Sequence, residues 1–131
     1  MTTHDATSRY DAGLTVRRAV LGDDYVNRSL ERVTDFTSDF QQLVTEYCWG
    51  AVWTREGLDR QTRSLINLAM LTALNRPHEI ELHTSGALRN GCTAEQIREV
   101  LLQTMIYCGV PAAVDSFRIA SKVLQEHIDG A

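Results

Sequence analysis

The sequence has 131 residues, of which 44% are apolar and 23% are charged, and its net charge is −4. This length and balance predict a single globular domain and exclude a disordered chain. The acidic charge argues against nucleic acid and anionic lipid as partners. The apolar runs are short, so neither a signal peptide nor a membrane span is expected.

Three cysteines, Cys48, Cys92 and Cys108, lie far apart in the sequence. An odd number without a CxxC pair is not the pattern of a disulfide framework or of a structural zinc site. We therefore expect each cysteine to be a small buried hydrophobe in a reducing, cytoplasmic setting.

Residues 1–8 are polar and are predicted to form a disordered N-terminal tail, followed by one domain over residues 9–131. In this domain apolar residues recur at helical spacing, and no segment alternates as a strand would. The sequence therefore predicts an all-α fold, a compact bundle of about six helices joined by short turns. The predicted helices cover residues 21–33, 37–49, 58–75, 76–91, 93–108 and 111–128.

Two of these helices carry the residues of a capping box near their start, Ser38 with Gln41 and Thr93 with Gln96. A third, over 58–75, is apolar on nearly every side in its second half, residues 65–74. Such a helix must be covered all round, and a chain of this size has limited means of doing so. We therefore predict an oligomer in which a partner subunit completes the cover; a central helix wrapped by its own chain is the alternative.

The helix over residues 76–91 carries the candidate catalytic residues. Its core face is formed by Ile80, Thr84, Ala87 and Leu88. His83 and Glu79 are one turn apart on the shoulder of this face, where a pocket can meet both core and solvent. A carboxylate in that position can hold the imidazole in one tautomer and raise its pKa. An exposed ion pair without function is the alternative reading of the same spacing.

A metal site is not predicted in this helix. His78 and His83 are five residues apart and lie about 140° apart around the helix. The HExxH motif, by contrast, places its two histidines on one face.

Read together, these segments resemble the carboxymuconolactone decarboxylase family. The resemblance runs from about Tyr10 to Leu124 and includes YDAGLTVRRAVLGDDYV (10–26), the run over residues 40–74, HEIELH (78–83), ALRNG (87–91) and EVLLQTMIYCGVPAA (99–113). It implies an AhpD-like all-helical subunit that assembles into a trimer or hexamer. It also implies that His83 is the active-site histidine and Glu79 its accompanying acid.

Two departures within the family motif bear on the chemistry. The thiol-peroxidase-reductase branch has a CxxC pair where this sequence has Arg76 and Glu79, so disulfide chemistry of that kind is excluded. The 4-carboxymuconolactone decarboxylase branch typically has an arginine two positions after the histidine, where this sequence has Ser85. An arginine is the natural clamp for a substrate with two carboxylates, so Arg63, Arg76 or another subunit must supply it, or the substrate differs.

The resemblance implies decarboxylation of 4-carboxymuconolactone to the β-ketoadipate enol-lactone in protocatechuate degradation, with no cofactor and no metal. His83 is then the general acid and oxyanion partner, and Glu79 orients it. Trp49, Trp53 and Tyr107 are candidates for the dry walls of the pocket, although aromatic residues also serve as plain core.

Two other functions remain open at the level of sequence. The family pocket can serve acid–base catalysis on a less charged lactone or β-keto substrate in a biosynthetic pathway, namely a decarboxylation, dehydration, isomerisation or cyclisation. Alternatively, the chain is a helical oligomer that binds a small molecule or a protein without catalysis.

Overall fold

In the computed structural model, which describes residues 3–130, the chain forms seven α-helices and one π-helix, and these residues contain no strand. The prediction of an all-α fold is confirmed, with one helix more than expected at the N-terminus. The elements are α1 (Thr3–Leu21), α2 (Asp23–Glu31), α3 (Ser38–Leu43), the π-helix (Val44–Val52), α4 (Arg60–Ala73), α5 (Pro77–Arg89), α6 (Ala94–Tyr107) and α7 (Val110–Asp129).

The N-terminus departs from the predicted tail, because α1 begins at Thr3 and includes residues 3–8. Polar residues can continue a helix, since each added residue gains a backbone hydrogen bond without needing an apolar side chain. Residues 1 and 2 lie outside the described residues.

The helices fall into two compact units, one ending at Asp59 and the other beginning at Arg60. One domain over residues 9–131 therefore stays a prediction. None of the helices in residues 3–130 is long and apolar enough to cross a membrane.

In the first unit, α1 packs against the π-helix at two glycines. A Cβ on Gly13 would collide with the carbonyl oxygen of Thr45, and one on Gly50 would collide with the carbonyl of Arg9. The two backbones can approach this closely only because neither glycine has a side chain. The buried Arg17 adds a hydrogen bond across the contact, from Nη1 to Thr45 Oγ1 at 3.2 Å.

In the second unit, α4, α5, α6 and α7 pack around one hydrophobic core. The buried residues of this core are Leu68, Ala87, Cys92, Ile97, Leu101 and Ala120. The expectation that every cysteine is buried is confirmed for Cys92 and is wrong for Cys48 and Cys108, which are exposed. All three thiols are free.

The two predicted capping boxes have different outcomes. At the start of α6 the Thr93 side chain accepts from the backbone N–H of Gln96, and the Gln96 side chain accepts from the backbone N–H of Thr93, as predicted. At the start of α3 the prediction is wrong, because Thr37 rather than Ser38 occupies the N-cap and makes no side-chain cap bond.

A stripe of apolar side chains on α4 remains exposed in this chain. Ile66 and Met70 on α4 and Leu74 directly after it recur at helical spacing and are 39%, 49% and 61% exposed, whereas Leu68 is fully buried. Helix α4 is therefore apolar on two sides, as the sequence indicates, and its own unit covers only one of them. Further exposed apolar residues of this unit lie on α6 and α7: Leu102, Ile106, Tyr107, Val110 and Val114.

Candidate active site

The turn between α4 and α5 sets which residues of the two helices meet. Asn75 adopts a left-handed conformation with φ of 57°, which asparagine tolerates better than most residues. Its N–H donates to the carbonyl of Thr72, and the N–H of Arg76 donates to that of Leu71, so α4 ends in a Schellman motif. Pro77 then opens α5, with a ring already suited to the first helical turn.

The resulting hairpin brings Asn67 on α4 against His83 on α5. These residues stand eight positions before and eight positions after Asn75. The Asn67 amide nitrogen lies 3.5 Å from His83 Nδ1. The turn chemistry therefore determines the environment of the histidine as much as the α5 sequence does.

The predicted contact between Glu79 and His83 is confirmed. Glu79 Oε2 lies 3.6 Å from His83 Nε2, one helical turn away. The His83 side chain is 11% exposed and that of Glu79 is 43% exposed. The two ring nitrogens of His83 thus face two different polar groups, an amide at Nδ1 and a carboxylate at Nε2.

Burial lowers the pKa of His83, and the nearby Glu79 carboxylate opposes this by raising it. The balance is a pKa below the ordinary value of 6.5. Burial prevails because a desolvated imidazolium loses more hydration than one partly exposed carboxylate returns. His83 is therefore a neutral imidazole near neutral pH, able to donate one N–H and accept one hydrogen bond.

The two candidate clamps lie on opposite sides of the same hairpin turn. Arg63 is half-buried on α4, one turn before Asn67 and on the same face of that helix. Arg76 is exposed at the N-cap of α5, three residues before Glu79. Both arginines thus precede, by about one turn, a residue that contacts His83.

The aromatic candidates do not gather around His83 within the second unit. Trp49 and Trp53 belong to the first unit, where both are buried and their rings stack with centroids 4.9 Å apart. Tyr107 is 82% exposed at the end of α6. It lines a groove of about 300 Å³ with α4 and α6 residues that include neither His83 nor Glu79.

Position 85, where the sequence departs from the decarboxylase branch, faces away from His83. Residues two apart on a helix point to different sides. Ser85 instead lines a groove of about 290 Å³ together with Arg89, Glu126 and His127, and neither His83 nor Glu79 lines that groove. A side chain at position 85 therefore starts from the side of α5 that meets α7.

Sequence reasoning missed Asn67 as a member of the site. Its only signal was its place one turn after Arg63 and eight residues before the turn at Asn75, which becomes informative once the hairpin is known. No group of three or more His, Cys, Asp or Glu side chains is arranged to hold a metal ion within the described part of the chain.

Comparison with known proteins shows the family to which this chain belongs. The model of the carboxymuconolactone decarboxylase family matches residues 38–122. A 4-carboxymuconolactone decarboxylase of Acinetobacter baylyi is 42% identical over 118 residues, 90% of this chain and 88% of that one. A nitrosuccinic acid decarboxylase of Metarhizium robertsii is 41% identical over 120 residues, 92% of this chain and 84% of that one. A 4-carboxymuconolactone decarboxylase of Pseudomonas putida is 52% identical over 46 residues, 35% of this chain and 96% of that one.

This chain belongs to the carboxymuconolactone decarboxylase family, because the family model matches it over most of its length. Its helical fold agrees with that assignment. Within that family it is a decarboxylase, and so an enzyme of the carboxy-lyase class.

Proposed function

We propose that the chain decarboxylates 4-carboxymuconolactone to the β-ketoadipate enol-lactone in aromatic degradation, without a cofactor. The observation that carries this proposal is the buried His83 between Asn67 and Glu79. The similarity to the Acinetobacter decarboxylase over 90% of the chain supports the choice of substrate.

The substrate itself supplies the electron sink for this reaction. The bond between the γ-carbon and its carboxylate breaks, and the electron pair moves through the ring alkene onto the lactone carbonyl oxygen as a dienolate. A proton then adds to the ring carbon beside that carbonyl, which leaves the enol-lactone and CO2. The enzyme need only bind the carboxylates, stabilise the dienolate oxygen and deliver the proton.

In this proposal His83 stabilises the dienolate oxygen and delivers the proton. The imidazolium form of His83 gives its proton to the carbon and reverts to the neutral ring; because burial lowers the pKa of His83, this form is less populated near neutral pH but is the stronger acid. The ring N–H also donates to the dienolate oxygen. An N–H fixed by its surroundings stabilises that oxygen without reorganising during the reaction. Glu79 is the charged partner of the ring and lies within reach of its Nε2 proton.

Arg63 and Arg76 are the proposed carboxylate clamps. A guanidinium binds a carboxylate through two parallel hydrogen bonds, which fixes orientation as well as charge. Arg63 is the stronger candidate, because it is half-buried and shares a face of α4 with the Asn67 that contacts His83. Trp49, Trp53 and Tyr107 stay proposals for the pocket walls.

The second candidate substrate is an α-nitro acid such as nitrosuccinic acid. The similarity to the Metarhizium enzyme, which covers 92% of this chain, favours it. Loss of the carboxylate beside a nitro group leaves a nitronate, so this substrate is also its own electron sink. It retains a second carboxylate, so it needs the same clamp and the same fixed N–H. The two candidate substrates therefore need the same chemistry from the site. They differ in the shape of the group that accepts the electron pair, which is a conjugated lactone in one and a nitro group in the other.

We also propose that the chain acts as a trimer or hexamer in a reducing cytoplasm. The exposed apolar residues on α4, α6 and α7 support self-association, because large apolar side chains exposed in such number favour an interaction surface. The three free thiols support a reducing compartment.

The test supplies purified protein with 4-carboxymuconolactone and, separately, with nitrosuccinic acid, in each case without added metal or cofactor, and follows CO2 release. We expect kcat/KM for the lactone to exceed that for the nitro acid by at least about 100-fold, or about 2.7 kcal/mol of transition-state discrimination. The reverse ratio would assign the nitro acid instead. No turnover of either by folded protein would contradict the proposal.

A further inference from the structure

Each ring nitrogen of His83 lies near a polar side chain, and the two side chains differ in their hydrogen-bonding chemistry. A carboxylate can only accept hydrogen bonds, whereas a carboxamide can accept through its oxygen or donate through its nitrogen. Glu79 faces Nε2 and Asn67 faces Nδ1, at 3.6 and 3.5 Å. A neutral imidazole has one proton to place between these two positions.

We propose that Asn67 is the positioning residue of the site: its amide N–H donates to His83 Nδ1 and thereby keeps the ring proton on Nε2. A carboxylate 3.6 Å from Nε2 favours the ring proton on that nitrogen, which leaves Nδ1 as the acceptor. Of the two ends of the Asn67 side chain, only the amide nitrogen can serve an acceptor. The opposite amide orientation would set the Asn67 oxygen against a lone pair on Nδ1.

This arrangement changes the role of Glu79, an assignment that rests on the proposed function. Glu79 contacts Nε2, the nitrogen that carries the proton. The Glu79 side chain is more exposed to solvent than that of His83. The group that orients the ring is therefore Asn67, on α4. Glu79 instead contacts the nitrogen that carries the proton, where its charge favours the imidazolium form that can give a proton to the substrate carbon. Each turnover then takes one proton from the imidazolium to carbon, which leaves the neutral ring, and one proton from solvent restores the imidazolium.

Two replacements of Asn67 separate this role from simple packing. In Asn67→Asp, of nearly the same shape, an acceptor faces Nδ1 while Glu79 still faces Nε2. The ring must then take a second proton or move its proton to Nδ1, so the pKa of His83 rises. Asn67→Leu removes the amide that donates to Nδ1, so residue 67 no longer fixes the tautomer.

The experiment is nitrogen-15 NMR of histidine-labelled protein without substrate, in which the ring nitrogens report the tautomer and the titration directly. His83→Gln identifies the His83 signals among those of the four histidines. We expect the Nε2–H tautomer in the wild-type protein. We expect an upward shift of the titration midpoint in Asn67→Asp, by at least about one pH unit. Gln125→Glu on α7 adds the same negative charge elsewhere and is expected to leave the His83 midpoint in place.

A wild-type Nδ1–H tautomer would overturn the proposal, as would an unchanged tautomer and midpoint in both Asn67 variants. Activity adds a second readout: we expect Asn67→Leu to lower kcat at least about tenfold with a smaller change in KM, since the ring is misdirected while the substrate clamp remains. Because the NMR measurement needs no substrate, it tests Asn67 even if the substrate proves to be neither of the two proposed acids.

Discussion

At the scale of single residues, the pKa of His83 reflects two opposing effects, and removing one reveals the other. Glu79→Gln removes the carboxylate that raises this pKa while burial continues to lower it. We therefore expect His83 to titrate at a lower pH in Glu79→Gln than in the wild-type protein. An NMR titration of the ring measures the shift. Glu81→Gln, exposed on the same helix, is the matched control, and an equal shift in that variant would show a general charge effect instead.

The same pKa predicts how stability depends on pH. The folded-state pKa of His83 lies below its unfolded value of 6.5, so the unfolded chain binds the proton more tightly. The His83 contribution to stability is therefore present above pH 6.5, falls as the pH drops below it, and levels off below the folded-state pKa. Urea unfolding between pH 7.5 and 5 should show a shallower loss of stability in His83→Gln than in the wild-type protein. His78→Gln, which replaces an exposed histidine, should retain the wild-type slope.

At the scale of elements, the close approach of α1 and the π-helix depends on glycine. Gly13→Ala places a methyl group against the backbone carbonyl of Thr45, which no side-chain rotation can relieve. We expect a loss of about 1–3 kcal/mol in the free energy of unfolding, the usual range for overpacking. Gly57→Ala is the control, because its new methyl group meets nothing within 4 Å. Denaturant unfolding that shows equal stability for the two variants would contradict this account of the contact.

The sequence predicted helices better than it predicted their internal geometry. Apolar spacing located the helix over 37–49, yet in the structure this segment begins as α3 and continues as a π-helix from Val44. A wider helical turn changes the period only slightly, so a short window does not reveal it. Helix α1 escaped prediction because its early residues are polar, and helical propensity alone is a weak signal.

The sequence predicted only part of the candidate site, because helical spacing reveals neighbours on one helix and not contacts between helices. Glu79 and His83 are neighbours on one helix, so spacing alone placed them in contact. Asn67 is distant in sequence and reaches His83 only through the left-handed turn at Asn75, which periodicity does not encode. Helix spacing alone places Ser85 on a different side of α5 from His83, and the structure adds the α7 residues that line a groove with it.

At the scale of the whole molecule, the exposed apolar residues of α4 and α6 predict self-association. Met70→Glu and Ile106→Glu each place a charge on this surface without touching the buried core. We expect the wild-type protein to sediment as a trimer or hexamer and both variants to shift toward monomer, because a desolvated, unpaired carboxylate is unfavourable in an interface. Ile128→Glu, exposed near the end of α7, is the control. A monomeric wild-type protein, or variants that assemble unchanged, would contradict the prediction.

CO2 release from 4-carboxymuconolactone by the wild-type protein and by His83→Gln tests directly whether His83 performs the chemistry. Glutamine keeps a polar side chain of similar size but cannot transfer a proton. We expect wild-type turnover and a loss of about 10²–10⁴-fold in kcat for the variant, the usual contribution of a positioned acid–base group. His78→Gln should retain wild-type kcat. Full activity in a folded His83→Gln protein would contradict the claim and move the reacting group elsewhere in the molecule.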